Sequence, residues 1–311
     1  MSEQMTPGDR TSHGRSFASV ADAYDRARPS YPAEAVSWMV GAHRDGPVKV
    51  LELGAGTGLL TELLVAAGHD VVASDPLPEM LEHLTNRLPD VRTLVASAES
   101  IPLESDAVDV VVCAQSFHWF DHPVALLEIA RVLRPGGVLA LVWNVRDEGI
   151  PWVRKLGTII GNDANRDDLA DPARNSEYFG FVDSREYRFW QNLRKDELLD
   201  LVRSRSGVAV LTEPERAALL DRVSALYDDY GRGPDGMKMP YVTRCFRTLV
   251  SDVPLPEPEP GEIEVLDDRE PDPATDAPDV PFDVDATQPI ARREPPSGPP
   301  EDPGTTLIDF K

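Results

Sequence analysis

The densest chemical signal in this chain is the run Val48 to Leu64, VKVLELGAGTGLLTELL, in which Gly54, Gly56 and Gly58 alternate with Ala55 and Thr57. Glycines at this spacing let a chain turn sharply after a strand and let its backbone approach a ligand with no side chain in the way. A nucleotide-like ligand fits such a loop. Ordinary turns and other nucleotide folds use similar glycines, so the flanking carboxylates must discriminate. Asp75 stands 21 residues after Gly54 at the predicted end of the next strand. A carboxylate there is placed to accept hydrogen bonds from both hydroxyls of an adenosine ribose. A helix N-cap ahead of Pro76 is the structural alternative for the same aspartate.

Glu52, two residues before the first glycine, narrows the ligand further. A dinucleotide site uses GxGxxG, with a helix N-terminus aimed at the pyrophosphate. This loop has the shorter GxGxG spacing, and a carboxylate at position 52 would repel pyrophosphate while orienting the ammonium of a methionine moiety, directly or through water. The pattern favours S-adenosylmethionine (SAM) over NAD, and no metal is expected in the site.

The elements that must position these residues are legible from periodicity. Between Val48 and Trp143, short β-branched runs alternate with amphipathic segments, as in β-α-β units. Strands are expected over Val48–Leu53, Asp70–Ser74, Arg92–Ala96, Ala107–Ala114 and Gly137–Trp143. Helices are expected over about Gly58–Ala67, Pro78–Leu88 and Pro123–Leu133. Two later runs, Phe181–Trp190 and Tyr241–Val250, read as strands separated by helices near Asp196 and Glu213. The expected fold class is α/β: a doubly wound, Rossmann-like, mostly parallel seven-stranded sheet with an antiparallel edge pair. The polar insertion after Trp143 is the expected substrate lid. Arg134 to Gly137 read as a helix end and turn, with no catalytic role.

The motifs LELGAGTG, VVASDPLPEML, SAESIPL, AVDVVVCAQSFHWFD and EIARVLRPGGVLALVW follow one another between Val50 and Trp143. In that order and spacing they resemble the class I SAM-dependent methyltransferases, in particular the methyltransferase-11-like group that includes trans-aconitate methyltransferases. The resemblance implies that Gly54, Ala55 and Gly56 contact the methionine portion through backbone, and Asp75 the ribose. It places Pro76 to Met80 on one face of the adenine, Ala98 and Glu99 at its edge, and Gln115 beside the methionine amine. Ser97 stands where relatives commonly carry aspartate. The segment SVADAYDRARPSYPAEAVSWM resembles the group's N-terminal lid, with Tyr24, Arg28 and Tyr31 closing over the cofactor and Arg28 pairing with its carboxylate; a capping helix with surface arginines is the alternative.

Ligands of open α/β sheets lie beyond the carboxyl ends of the strands. His118, Trp119 and Trp143 are therefore the expected acceptor-site residues, His118 either as a general base or as a wall residue, the aromatic rings either as wall or as core. Arg203, Arg205 and Arg244 would bind an anionic acceptor if they converge, and are solvated charges if they do not.

Composition bounds the rest. Of the formal charge of −23 over 311 residues, the segment from Ser251 onward carries 17 acidic and 4 basic side chains. With no basic run to offset it, nucleic acid is not an expected partner. The acidic segment also holds 14 of the 29 prolines, too little apolar surface to offset the entropy of ordering. The expected organisation is a flexible 1–16, a methyltransferase domain over 17–250 (lid 17–46, core 47–145, insertion and final strands 146–250), and a disordered tail over 251–311. The terminal TTLIDFK reads as a docking peptide for a protein partner or as a frayed end. Neither a leader pattern nor a membrane-length apolar run is visible, so a cytoplasmic location is expected. The expected function is methyl transfer from SAM to a small-molecule acceptor; the alternatives are a methyltransferase-like regulatory or scaffold protein without turnover and, behind it, an NAD- or nucleotide-dependent enzyme.

Overall fold

A computed structural model describes residues 28–41, 46–161, 169–231 and 236–255. Tyr24, the expected flexible N-terminus and the tail beyond residue 255 lie outside the described residues.

The chain runs α1 (Ala33–Val40), β1 (Lys49–Leu53), α2 (Leu59–Ala66), β2 (Asp70–Asp75), α3 (Pro78–Arg87), β3 (Arg92–Val95), β4 (Val108–Ala114), a 3-10 turn (Phe117–Trp119), α4 (His122–Val132) and β5 (Leu133–Arg146). It continues with α5 (Pro151–Ile160), α6 (Asp171–Arg174), β6 (Asp183–Leu193), α7 (Lys195–Arg203), α8 (Ser206–Ala209), α9 (Glu213–Tyr230) and β7 (Met237–Leu249). Near-continuous apolar runs make β1, β2 and β4, which are buried along almost their whole length because helices cover both faces of a parallel sheet.

The seven strands order as β3-β2-β1-β4-β5-β7-β6. Strands β1 to β5 are parallel, whereas β7 is antiparallel to both β5 and β6. The expected antiparallel edge pair is present, with the last strand in sequence seated between β5 and β6. The sheet direction reverses its order of travel at β1, so the crevice between the carboxyl ends of β1 and β4 is the topological switch point.

Boundaries differ from the sequence expectation mainly at β5. Leu133 already bridges Val108, and the register shifts before Val110 pairs with Val138. Hence α4 stops at Val132 and the strand includes Pro135 and both glycines. Arg134 donates to Asp109 Oδ1 at 2.9 Å, and Asp109 Oδ2 accepts the Lys49 amide at 2.9 Å. These contacts lie at the amino ends of β1 and β4, away from the switch point, so this stretch is structural.

Two apolar clusters flank the sheet. One gathers Phe117, Ile129, Trp143, Phe179 and Phe246; the other gathers Tyr31, Trp38, Leu60, Val110, Val142 and Cys245. A third, built from Val153, Leu156, Leu198, Val202, Val223, Leu226 and Met239, gives the insertion its own core over β7. Cys113 and Cys245 are both buried and free, as small core hydrophobes. Among the described residues, no helix is long and apolar enough to cross a membrane.

Candidate active site

The glycine loop follows β1 at the switch point, and most of its amides are engaged within the protein. Gly54 and Ala55 donate to the Ser74 carbonyl at 2.8 and 2.9 Å, and Gly56 donates to Asp75 Oδ2 at 2.9 Å. What the loop offers a ligand is bare Cα surface. A Cβ on Gly56 would meet nothing within 4 Å, whereas one on Gly54 would lie 2.4 Å from Ser116 Cβ. Ser116 follows β4 and donates from Oγ to the Leu53 carbonyl at 2.7 Å, so the loops after β1 and β4 are bound together. The amides of residues 54 to 56 are thus bound to Ser74 and Asp75 of β2.

Asp75 ends β2 and is 7% exposed. Its other oxygen accepts the Leu77 amide at 3.0 Å, which fixes the carboxylate at the rim of the loop. Leu77, not Asp75, is the N-cap of α3, so the N-cap alternative does not hold. Each carboxylate oxygen takes one amide and keeps acceptor capacity for a hydroxyl. Burial raises the carboxyl above its ordinary range, and the two amides oppose that shift.

Glu52 lies one strand away, 1% exposed, and accepts the Thr61 hydroxyl at 2.6 Å. Burial pushes its carboxyl up to about 8; the Thr61 bond works against this, and the Asp75 charge adds to it. A buried group in this state is stabilised in its ionised form by any cation that comes to rest beside it. Thr57 Oγ1 and Trp143 Nε1 are buried with no hydrogen-bond partner among the described residues. The two carboxylates at the switch point thus offer acceptors that fit a ligand carrying ribose hydroxyls and an ammonium.

The carboxyl ends of β4 and β5 are tied by Gln115 and Asn144. Gln115 adopts a left-handed backbone (φ 58°), uncommon for a side-chain-bearing residue and frequent at functional turns. Its Nε2 donates to the Asn144 carbonyl at 3.3 Å. Asn144 is buried, donates from Nδ2 to the carbonyls of Pro29 and Ser30 at 3.2 and 3.1 Å, and accepts the Thr243 hydroxyl at 2.6 Å. The N-terminal segment is therefore anchored on the site by a residue that sequence reasoning did not single out. Its only sequence signal is position, one residue after Trp143.

The other expected site residues divide. His118 is exposed on the 3-10 turn, its ring 4.7 Å from that of Trp119, at the mouth of the crevice. Trp143 is 4% exposed and packs edge-on against Phe117 and Phe246, which makes its ring core. Pro76 is exposed, while Met80 and Ala98 are buried. Glu99 accepts the Asp121 amide at 2.8 Å and so braces the start of α4. Tyr31 belongs to the core beneath α1, and Arg28 donates to the Ser204 carbonyl at 3.3 Å, in the insertion.

The expected arginine trio does not assemble as one site. Arg203 pairs with Asp200 at 2.8 Å and Arg244 with Glu186 at 3.0 Å, each within or beside its own element. Arg205 instead meets Arg146: their Nη2 atoms reach the Gly161 carbonyl at 3.3 and 3.4 Å.

A sheet of this order, with a glycine loop and two buried carboxylates at its switch point, defines a class I methyltransferase fold. The family model described as a methyltransferase domain matches residues 51–141. An uncharacterised methyltransferase of Mycobacterium tuberculosis is 45% identical over 238 residues, covering 76% of this chain and 96% of its own length. An uncharacterised methyltransferase-like protein of Schizosaccharomyces pombe is 37% identical over 238 residues, covering 74% and 91%. Among solved structures, one from Anaeromyxobacter dehalogenans assigned as a type II methyltransferase aligns with TM-score 0.53 at 23% identity, over 73% of this chain and all but 1% of its own. The chain belongs to the methyltransferase-11-like family of class I SAM-dependent methyltransferases.

Proposed function

We propose that this protein binds SAM at the β1–β4 switch point and transfers its methyl group to a small-molecule acceptor held against the carboxyl ends of β4 and β5. The observation that carries the reading is the pair of buried carboxylates on either side of the glycine loop. Asp75 holds the ribose hydroxyls, Glu52 faces the ammonium through the loop, and the missing Cβ of Gly56 leaves room for the ligand backbone. Gln115, fixed by Asn144, borders the methionine end.

When bound, SAM supplies an electrophilic methyl on a sulfonium: an acceptor lone pair forms the new bond to carbon while the C–S pair stays on sulfur as a neutral thioether. No proton has to reach the leaving group. The protein's own task is to align acceptor and methyl and to exclude water, the kind of positioning that removes several kcal/mol of barrier. Asn144 serves it by fastening residues 29 and 30 beside the crevice.

Titration calorimetry with SAM, repeated with Asp75→Ala and with NAD as competitor, tests the reading. Micromolar binding that the substitution weakens at least tenfold and NAD leaves unchanged is expected. A folded sample that fails to bind SAM overturns it, and SAM binding without turnover of any acceptor favours a regulatory role.

A further inference from the structure

The cofactor reading lays the ligand across the carboxyl ends of neighbouring strands. With its methionine end by the loops after β1 and β4 and its ribose on Asp75 at the end of β2, its base continues in the same direction, toward the end of β3, the next strand of the sheet. The chain leaves β3 there beside Asp75: the Ala96 amide donates to the Asp75 carbonyl at 3.3 Å, and Ser74 Oγ donates to the Ala96 carbonyl at 3.1 Å. A turn follows, closed by the Ser100 amide on the Ser97 carbonyl at 3.3 Å, with Ala98 and Glu99 between them.

Residues 96–107 join β3 to β4 outside any helix or strand, so no ladder fixes their path. An ion pair on α4 supplies much of what is missing. Arg131 donates from Nη1 to the Leu103 carbonyl at 2.7 Å and from Nη2 to the Ile101 carbonyl at 2.9 Å. Its Nε and Nη2 also donate to Glu128 Oε1 and Oε2 at 2.7 and 2.8 Å, and Glu128 Oε2 accepts the Ile101 amide at 3.0 Å. Both polar main-chain groups of Ile101 are thereby gripped by one pair of side chains, and its own side chain is buried. The bond from the Asp121 amide to Glu99 ties the turn to α4 a second time. Only a planar guanidinium can span one carboxylate and two carbonyls at once; an ammonium on a flexible stem cannot. An exposed pair at this helical spacing would contribute a few tenths of a kcal/mol to stability. This pair is mostly buried and binds the main chain of a loop, so its effect falls on the loop.

We propose that Glu128 and Arg131 are positioning residues for the base of the cofactor: without touching it, they hold the 97–100 turn, through the main chain of Ile101 and Leu103, at the distance from Asp75 that reads the edge of adenine. This rests on the SAM reading and adds to it how the base is selected. The adenine edge presents an amino donor beside a ring-nitrogen acceptor, and hypoxanthine presents the reverse, a carbonyl beside an N–H. A turn held in place discriminates between the two patterns, whereas a loosened one re-aims its main chain to accept either.

The test titrates the full chain calorimetrically with S-adenosylhomocysteine and with S-inosylhomocysteine, which differ only in that edge. Wild type is expected to prefer the adenosyl compound at least tenfold. Arg131→Gln is expected to weaken the adenosyl compound at least tenfold and the inosyl compound less than threefold, so that the preference collapses. Arg131→Lys, which keeps the charge but loses the fork, falls between the two. Arg134→Ala, which breaks a bond at the amino ends of the strands, serves as the stability control and keeps the wild-type ratio. If Arg131→Gln fails to fold, Glu128→Gln, nearly isosteric, carries the test with an expected fall in the ratio of at least threefold. Equal losses for both compounds in the Arg131 and Glu128 variants, or a wild type that does not discriminate between them, overturn the positioning role and leave SAM binding standing. A folded wild type that binds neither compound overturns the SAM reading, and the positioning role with it.

Discussion

Gly54 and Ser116 leave no room for a further atom between them: a Cβ built on Gly54 falls 2.4 Å from Ser116 Cβ and 2.9 Å from its Oγ. The glycine also holds φ +70°, where an L side chain is strained. Gly56 shares the left-handed backbone (φ +56°) but faces open space. The two glycines should therefore respond differently to alanine. Gly54→Ala is expected to cost about 3 kcal/mol from strain and overpacking together, and Gly56→Ala about 1–2 kcal/mol from the backbone alone. Urea unfolding of both variants separates the two, and equal losses would show that the loops after β1 and β4 are not in contact.

Stability should fall with rising pH because of Glu52. An unfolded glutamate titrates near 4.5, while the folded one holds its proton to about 8. Between these values the folded state binds more protons than the unfolded one, so this group's stabilisation is fully present below pH 4.5 and is lost progressively up to about 8. Glu52→Gln removes the titration. Denaturant unfolding from pH 5 to 8 is expected to show a decline in wild type, up to about 1.4 kcal/mol per pH unit, that the variant lacks. Parallel curves would place the Glu52 carboxyl in its ordinary range.

The same proton reports on the cofactor. If the SAM ammonium comes to rest near Glu52, it draws the carboxyl downward and expels the proton at pH 7. Calorimetric binding enthalpies should then vary linearly with the ionisation enthalpy of the buffer in wild type and lose that component in Glu52→Gln. A buffer-independent wild-type enthalpy would detach Glu52 from the ligand.

The sheet, the glycine loop and the placement of Asp75 at the end of β2 were legible in the sequence because each is written in adjacent residues: apolar runs, turn glycines, a carboxylate after a strand. Where the loop amides go was not legible, since their partner Ser74 belongs to another strand and nothing local distinguishes an amide aimed at a ligand from one spent on a neighbour. The same holds for the arginines. Arg203 and Arg205 look alike along the chain, yet one faces Asp200 a helical turn back and the other crosses to Gly161. Asn144 joins residues more than a hundred positions apart, and Trp143, one residue earlier, points to the opposite face of the sheet and becomes core because side chains alternate along a strand.

Asn144 should behave as the anchor of the N-terminal segment. Asn144→Ala leaves the Pro29 and Ser30 carbonyls and the Thr243 hydroxyl without their partner, an expected loss of about 2–3 kcal/mol. Thr243→Val, which removes only the bond to Asn144 Oδ1, is expected to cost about 1 kcal/mol. Native-state hydrogen exchange distinguishes the two roles: faster exchange at Tyr31 in Asn144→Ala but not in Thr243→Val is expected. Uniform acceleration across the sheet in both would reduce Asn144 to a core hydrogen bond.

His118 separates the two chemistries open to the acceptor. Its side chain is exposed at the mouth of the crevice, so His118→Ala should leave stability within about 0.5 kcal/mol. A hydroxyl or carbon acceptor needs its proton removed, and loss of the base would then lower kcat by about 10² to 10⁴. A carboxylate is already ionised at neutral pH and attacks without a base. On a carboxylate acceptor, kcat of His118→Ala stays within about threefold of wild type. A large fall in kcat with KM unchanged would instead make His118 the base and the methylated atom a hydroxyl oxygen or an acidic carbon.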